Sequence, residues 1–482
     1  MSTDLYCGPN PELMEAQARV CTGPHQSRPL GLKTDAPQPG PILDILLQSQ
    51  GDDLPRSQRA SQAQMGAFLA AMTIRRGFPP KTRWSPAEVE AFAHYRPRLE
   101  TELSPELRFL LNPESDCAAT APGEEVVLAA LRTILAGGHL DYARTRNALK
   151  AILAGAVRPA LAAAVLIGQR MNLETYDEVR AYLDAVHGPE QLTQVEVDSL
   201  THFGEPFDGA ARYFRPTLFV AAVRAALGRP SLLHGVDDMP PKSGITEEKI
   251  LTALGARTDL SRSEATTLVQ DPAVGLAYIS QRIYAPQAYA LRSLRVHIAK
   301  RPPWAATEKA QRLFTCPGKN YMVVGFYHAG YEETLLHLMW DSGLDAGLVI
   351  KGEEGSSHFS LRLGKPSTPE RKAVNFAQGF HRRTGQRQDF TTDVDPAALG
   401  LQYPHSPRPD QISAAAFAHS GLEALDGKQG PIYDRLILNA AMTDHLLGLV
   451  DDPTQAVAQA RQAIDSGQAR RHLQAYLDYT RA

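Results

Sequence analysis

Residues 427–469 read GKQGPIYDRLILNAAMTDHLLGLVDDPTQAVAQARQAIDSGQA. The stretch predicts two helices within a helical segment spanning residues 413–482. The first carries Asp434, Asn439, Ala440 and Ala441, in a D-x-x-x-x-N-A-A pattern. The second carries Ala463, Ile464, Ser466, Gly467 and Ala469, in A-x-x-A-I-x-S-G-x-A. Ahead of them, residues 364–412 are rich in Pro, Gly and Arg and predict long loops with an edge hairpin. Further back, apolar runs of strand length alternate with helical periodicity. Phe219 to Leu227 is helical, and Ser231-Leu-Leu-His-Gly235 is a short buried strand running into a loop. Thr246 to Leu254 is helical, Tyr321 to Phe326 a strand, Glu332 to Trp340 a helix, and Ala346 to Ile350 a strand. Such alternation implies a mainly parallel sheet flanked by helices, an α/β domain assigned to residues 196–482.

The chain before residue 196 is helical in pattern. Residues 1–40 are rich in Pro, Gly and polar residues and predict a loosely ordered, flexible arm. Leu43, Ile45, Leu46 and Leu47 open an apolar face, and Met65, Phe68, Leu69 and Met72 continue one. Ser85-Pro-Ala-Glu88 is a capping box with proline at the first helical position. About 90 residues later the plan recurs: Leu161 to Leu166 echoes Phe68 to Ile74, and Thr175-Tyr-Asp-Glu178 is a second capping box. The recurrence reads as a duplicated helical module, residues 41–120 and 121–195, or as two unrelated amphipathic helix pairs.

With 482 residues, the chain is long enough for several domains and a large core. A charged fraction of 21% and a hydrophobic fraction of 43% are those of a globular protein rather than a disordered or membrane chain. A net charge of −3 supplies no global field for nucleic acid or an anionic membrane. Four widely spaced cysteines, Cys7, Cys21, Cys117 and Cys316, fit reduced thiols in a cytoplasmic protein. The polar N-terminus has no apolar signal region. The most apolar run, Ala151 to Ile167, is interrupted by Arg158 and Pro159. It falls short of the ~20 residues of a membrane span and reads as a buried helix pair. Nucleotide P-loop, zinc-peptidase and serine-hydrolase motifs are absent from the sequence.

The 427–469 stretch resembles the C-terminal signature of anthranilate phosphoribosyltransferases, and the likeness extends over roughly residues 125–482. It implies that family's architecture, a helical domain beside an α/β domain, and a homodimer formed through the helical domain. It also implies pentosyl transfer: a ribosyl pyrophosphate held with magnesium, and an amine oriented for attack at the anomeric carbon. In an α/β sheet of this kind ligands bind beyond the carboxyl ends of the strands, and four loops there are candidates.

Gly204-Glu-Pro-Phe-Asp-Gly209 stands where the family has G-T-G-G-D-G. Gly204, Asp208 and Gly209 match, Pro206 removes an N–H donor, and Glu205 adds negative charge. Thr217 matches the end of the following N-I-S-T segment, and Arg212 and Arg215 supply cations. The loop is either a remodelled anion pocket or a turn that has lost the donor site. His234-Gly to Lys242-Ser243-Gly244 keeps the spacing of H-G-N-R-S-V-S-S-K-S-G. The resemblance makes Lys242 and Ser243 phosphate partners and His234 either a catalytic or a structural histidine. Pro286, Ala288, Arg295 and Arg301 match the acceptor segment, which gives Arg295 the acceptor carboxylate. In Lys351-Gly-Glu-Glu-Gly-Ser-Ser-His358, Ser357 and His358 align with the family's magnesium-binding D-E pair. Serine and neutral histidine suit magnesium poorly, so Glu353 and Glu354 are the alternative ligands. His328, where a strand gives way to a helix, is a candidate acid or base.

Taken together, these residues point to a glycosyltransferase acting on a phosphorylated sugar donor. The alternative is a non-catalytic protein of the same fold that binds a small phosphorylated ligand or nucleic acid.

Overall fold

Capping, rather than composition, decides where the chain becomes helical at its N-terminus. In the computed structural model, which describes residues 9–33, 36–51, 54–362, 366–368 and 371–481, helix α1 (Pro11–Val20) starts where the Asn10 side chain accepts from the Leu13 N–H at 2.9 Å. Leu13, Ala16, Val20, Cys21 and Leu30 are buried. The described part of the expected loose arm of residues 1–40 is therefore largely part of a core; residues 1–8, 34 and 35 lie outside the described residues. Proline and glycine content misleads here because Pro11 sits at the first helical turn, where a missing N–H costs nothing.

Among the described residues eight more helices follow: α2 (Pro39–Gln48), α3 (Gln62–Arg75), α4 (Pro86–Glu102), α5 (Pro105–Leu111), α6 (Glu124–Leu135), α7 (Tyr142–Leu153), α8 (Pro159–Asn172) and α9 (Tyr176–Val186). Residues up to Val186, with Ala290–Ala305, form one compact unit. The main run of this unit ends at Val186, and Ala290–Ala305 from later in the chain belong to it. Helices α3 and α8 are buried almost all round and cross so closely that a Cβ at Gly66 would stand 2.2 Å from the Ala160 carbonyl oxygen. The two capping glutamates make the same bonds. Glu88 accepts from the Ser85 N–H at 2.7 Å and from the Leu30 N–H at 3.0 Å. Glu178 accepts from the Thr175 N–H at 2.8 Å and from the Leu140 N–H at 3.0 Å. Both carboxylates are buried; Glu88 is neutralised by Arg75 at 2.7 Å.

The second unit, His187–Tyr289 with Ala306–Ala482, holds the sheet. In chain order its elements are β1 (Thr193–Gln194), β2 (Ser199–Gly204), α10 (Thr217–Ala226), β3 (Ser231–Gly235), α11 (Glu247–Ala253), α12 (Arg262–Gln270), β4 (Leu276–Ser280) and α13 (Gln281–Tyr284). The chain passes through α14 (Pro286–Ala290) and, in the helical unit, α15 (Leu294–His297). It returns with β5 (Phe314–Thr315), β6 (Lys319–Gly325), α16 (Tyr331–Asp341), β7 (Ala346–Ile350), β8 (Phe376–Arg383) and β9 (Gln386–Asp393). Helices α17 (Ala414–Leu425), α18 (Pro431–Leu446), α19 (Pro453–Asp465) and α20 (Gln468–Arg481) close it.

Seven strands lie in the order β4-β3-β2-β6-β7-β8-β9, and β1 pairs separately with β5. The first five strands are parallel and fully buried at their centres, as their continuous apolar runs require. β8 and β9 add an antiparallel edge hairpin, turning through Thr384 and Gly385, both at positive φ. Parallel order places the ends of β2, β3, β6 and β7 on one side of the sheet, so the loops after Gly204, Gly235, Gly325 and Ile350 gather there.

Helix α18 is tied both to the amino ends of β2 and β3, through Arg224, and to the loop after β7. Arg224 of α10, fully buried, reaches Asp444 at 2.7 Å and donates to Ser231 and Thr201 hydroxyls at 2.9 Å. Asn439 accepts from the Phe359 N–H at 2.6 Å and donates to the Phe359 and Arg435 carbonyls at 3.1 and 2.9 Å. The signature asparagine thus fixes the loop after β7. Among the described residues no helix is long and apolar enough to cross a membrane, and Cys21, Cys117 and Cys316 are free thiols.

Candidate functional site

The loop after β2 is closed by its own chain. Gly204 is required by packing, since a Cβ there would lie 1.8 Å from the Lys309 carbonyl oxygen. Gly209 sits at φ +75°, and its loop is bonded to the loop after β3: the Ala210 N–H donates to the Ile245 carbonyl at 2.8 Å, and the Ile245 N–H returns to Ala210 at 2.7 Å. Phe207, Val236 and Met239 pack together between the two loops, with Tyr289 against them. Tyr289 is in turn fixed by donating to Asp237 at 2.9 Å.

Glu205 points inward and is buried. Arg215 holds it at 3.0 Å and holds Glu247 at 2.6 Å. On its other side Glu205 accepts from the Ser357 N–H at 3.0 Å and from the Ser357 hydroxyl, and His358 Nε2 stands 3.3 Å away. The Thr217 hydroxyl meets the same His358 nitrogen at 2.7 Å. Burial opposes ionisation of Glu205, but Arg215 and His358 outweigh it and hold the carboxyl below the usual range. Burial lowers the His358 pKa, with Glu205 opposing. Arg215 and Thr217, expected to face a ligand, are therefore spent on internal partners.

Glu353 and Glu354 are engaged as well. Glu353, buried, lies 3.3 Å from Arg435 and 3.4 Å from Arg362, and accepts from Ser360 at 3.1 Å and from Ser406. Glu354 accepts from three successive backbone N–H groups: Ala211 at 3.0 Å, Arg212 at 3.0 Å and Tyr213 at 3.2 Å. Lys242 stands 3.1 Å from it and Arg212 Nε 3.9 Å. Burial raises the Glu354 pKa, and Lys242 with the N–H donors more than reverses that. Lys242 also donates to the Gly209 carbonyl and lies 4.0 Å from Asp208. Ser243, at φ +49°, donates to Asp238 at 2.9 Å.

These partners settle how the residues fit magnesium. Both alternative carboxylates are neutralised by protein cations, and Ser357 and His358 are bonded to Glu205. Among the described residues no group of three or more His, Cys, Asp or Glu side chains stands together as a metal cage. As they stand, the chain's residues do not fit the family's magnesium, because Glu353 and Glu354 are both held by protein partners.

The open space lies alongside. A cavity of about 920 Å³ is lined by Arg212, Tyr213, Tyr327, His328, Lys351, Glu353, Glu354, Arg362, Arg371 and Lys372, among others. A second space of about 430 Å³ lies by Tyr213, Glu353, Arg362, His405, Ser406 and Arg408. Arg212 and Arg408 flank the Tyr213 ring at 5.8 and 4.8 Å, and Lys351 lies 4.8 Å from the centre of Tyr327, which is 54% exposed. His328 opens onto this cavity. His234 does not: it is buried between Phe207 and Tyr284, and burial lowers its pKa to about 4. Arg295 lies in the helical unit, buried on α15. The structure thus brings together Asp208, Gly209, Arg212, Lys242 and Glu354. Sequence reading named Lys351, at the head of the Lys351–His358 loop, but missed Arg362, Arg371, Lys372 and Tyr213, which no motif marks and which meet only through the fold.

Comparison with known proteins agrees with this architecture. Residues 128–187 match the helical bundle domain of a glycosyl transferase family. Anthranilate phosphoribosyltransferase of Azospirillum brasilense is 26% identical over 363 residues, 73% of this chain and 92% of that protein. The enzyme of Acidithiobacillus ferrooxidans is 27% identical over 358 residues, covering 74% of this chain and 99% of the relative. Among solved structures, anthranilate phosphoribosyltransferase of Thermus thermophilus superposes with a TM-score of 0.55 at 17% identity, over 75% of this chain and 99% of that one. The Saccharomyces cerevisiae enzyme, solved with PRPP and Mg, does so with 0.58 at 16%, over 74% and 98%. The chain is thus similar to anthranilate phosphoribosyltransferases over about three quarters of its length, in sequence and in fold.

Proposed function

We propose that this phosphoribosyltransferase-like protein binds a phosphorylated sugar in the cationic cavity of its α/β unit, without the family's magnesium carboxylates. The observation that carries the reading is the lining: Arg212, Lys351, Arg362, Arg371 and Lys372 surround one space beyond the strand ends. Guanidinium and ammonium groups there take over the charge neutralisation a metal would supply. His328, opening on the same space, is the proton-transfer candidate. In this reading the reaction class is pentosyl transfer to an acceptor other than anthranilate, because Val236, Met239 and Phe207 fill the space between the loops after β2 and β3. The protein is taken as cytoplasmic and homodimeric.

A second reading, binding without turnover, is favoured by the internal pairing of Glu205, Ser357 and His358. Calorimetric titration with phosphoribosyl pyrophosphate, with and without magnesium, tests the first. Binding of equal strength in both conditions is expected. No binding at millimolar donor overturns the reading, and strict dependence on magnesium overturns its metal-free part. Product formation with a panel of amines separates transfer from binding alone.

A further inference from the structure

Three consecutive backbone N–H groups converging on one point form an anion-receiving concavity, the arrangement that proteins commonly present to phosphate. In this chain the concavity is built by Ala211, Arg212 and Tyr213, and the anion in it is the chain's own Glu354 carboxylate. The surroundings are those of a phosphate site: the Lys242 ammonium at 3.1 Å and the Arg212 guanidinium at 3.9 Å. A carboxylate offers two oxygens and one negative charge; a phosphoryl group offers three oxygens and nearly two charges. The same donors therefore serve the second better than the first.

Glu354 reaches the concavity from an unfavourable backbone. It adopts φ 55°, ψ 19°, a left-handed conformation rarely taken by residues other than glycine, asparagine and aspartate. Its position also gives it somewhere to go, since Glu354 and Arg212 both line the 920 Å³ cavity. Arg212 is 61% exposed at its side chain, so a solute reaches the rim directly.

We propose that the Ala211–Tyr213 concavity with Lys242 is a phosphoryl-binding site, occupied in the free protein by Glu354, and that a phosphate-bearing ligand binds by displacing that carboxylate into the cavity. The inference rests on the reading that the cavity takes phosphorylated ligands and adds the point at which a phosphoryl group anchors and the internal group it competes with. Glu354 then sets a threshold. It lowers the affinity for small phosphates, which gain nothing else from the cavity, relative to larger phosphorylated ligands that also contact Lys351 and Arg362.

Inorganic pyrophosphate is the probe, titrated by calorimetry into the full-length wild type, Glu354→Gln, Glu354→Ala and the double variant Glu354→Ala/Lys242→Met, with thermal melts confirming that each is folded. Removing the competing charge is expected to tighten pyrophosphate binding at least tenfold in Glu354→Ala. Glu354→Gln, whose amide oxygen still accepts from the N–H groups but carries no charge, is expected to fall between. The added Lys242→Met is expected to remove the gain. Unchanged affinity in a folded Glu354→Ala, or a gain that survives loss of Lys242, overturns the proposal. These outcomes are separable from the broader reading: wild type that ignores phosphoribosyl pyrophosphate while Glu354→Ala gains Lys242-dependent pyrophosphate binding sinks the sugar-phosphate assignment and supports the masked site.

Discussion

Replacing Arg215 with methionine is expected to destabilise the α/β unit strongly in the absence of any ligand. Arg215 is 3% exposed and neutralises two buried carboxylates, Glu205 at 3.0 Å and Glu247 at 2.6 Å, while donating to the Pro206 and Ile245 carbonyls at 3.1 and 3.4 Å. Methionine matches the stem but leaves both carboxylates without their counterion. Breaking a buried ion pair from one side costs about 3–5 kcal/mol, which lowers the melting temperature by roughly 6–15 °C at about 2–3 °C per kcal/mol for a unit of this size. The pH dependence carries a sign. In the wild type Glu205 is held below the usual carboxylate range, so its contribution is complete above a pH of about 4.3 and disappears as pH falls further. In the variant the buried carboxyls keep their protons to higher pH, and the protonated forms cost less to bury. The deficit is therefore full at pH 7 and closes as pH approaches 4. Differential scanning calorimetry of both proteins at pH 7, 5.5 and 4.5 reads this directly. Equal melting temperatures at pH 7, combined with weaker phosphate binding, would show that Arg215 faces ligand and would refute the internal pairing.

Asn439→Ala removes three hydrogen bonds to buried backbone and is expected to cost about 2–4 kcal/mol in chemical denaturation; a loss under 1 kcal/mol would mean the loop after β7 does not depend on it. Gly66→Ala drives a methyl group to 2.2 Å from the Ala160 carbonyl oxygen and is expected to cost about 3 kcal/mol, against little change if α3 and α8 do not cross there. His187, His202 and His234 are held neutral by burial, with pKa values lowered to about 4, 3 and 4. Below pH 6.5 the unfolded chain takes up protons that the native one refuses, so stability falls by about 2 kcal/mol per histidine by pH 5. His202→Leu should flatten that slope, and an unchanged slope between pH 7 and 5 would count against it.

The sequence by itself determined the fold, because the fold depends on local and periodic signals. Residues 321–326 and 346–350 became the parallel strands β6 and β7, and residues 413–482 became four helices around the 427–469 signature. The capping boxes at Ser85 and Thr175 marked helix starts because capping is a contact between neighbours in sequence. The site was legible only in part. Alignment of Gly209, Lys242 and Glu354 with family motifs located the loops, but not the partners those residues choose. Only the tertiary structure decided that Glu205 turns inward to Arg215 and Ser357, across 10 and 152 positions of sequence. It likewise decided that Glu354 reaches back 143 positions to the Ala211 N–H. The spread-out cations Arg212, Lys351, Arg362, Arg371 and Lys372 meet for the same reason. A net charge of −3 describes the whole chain, whereas the field in a cavity is set by the few side chains that the strand order brings to its rim.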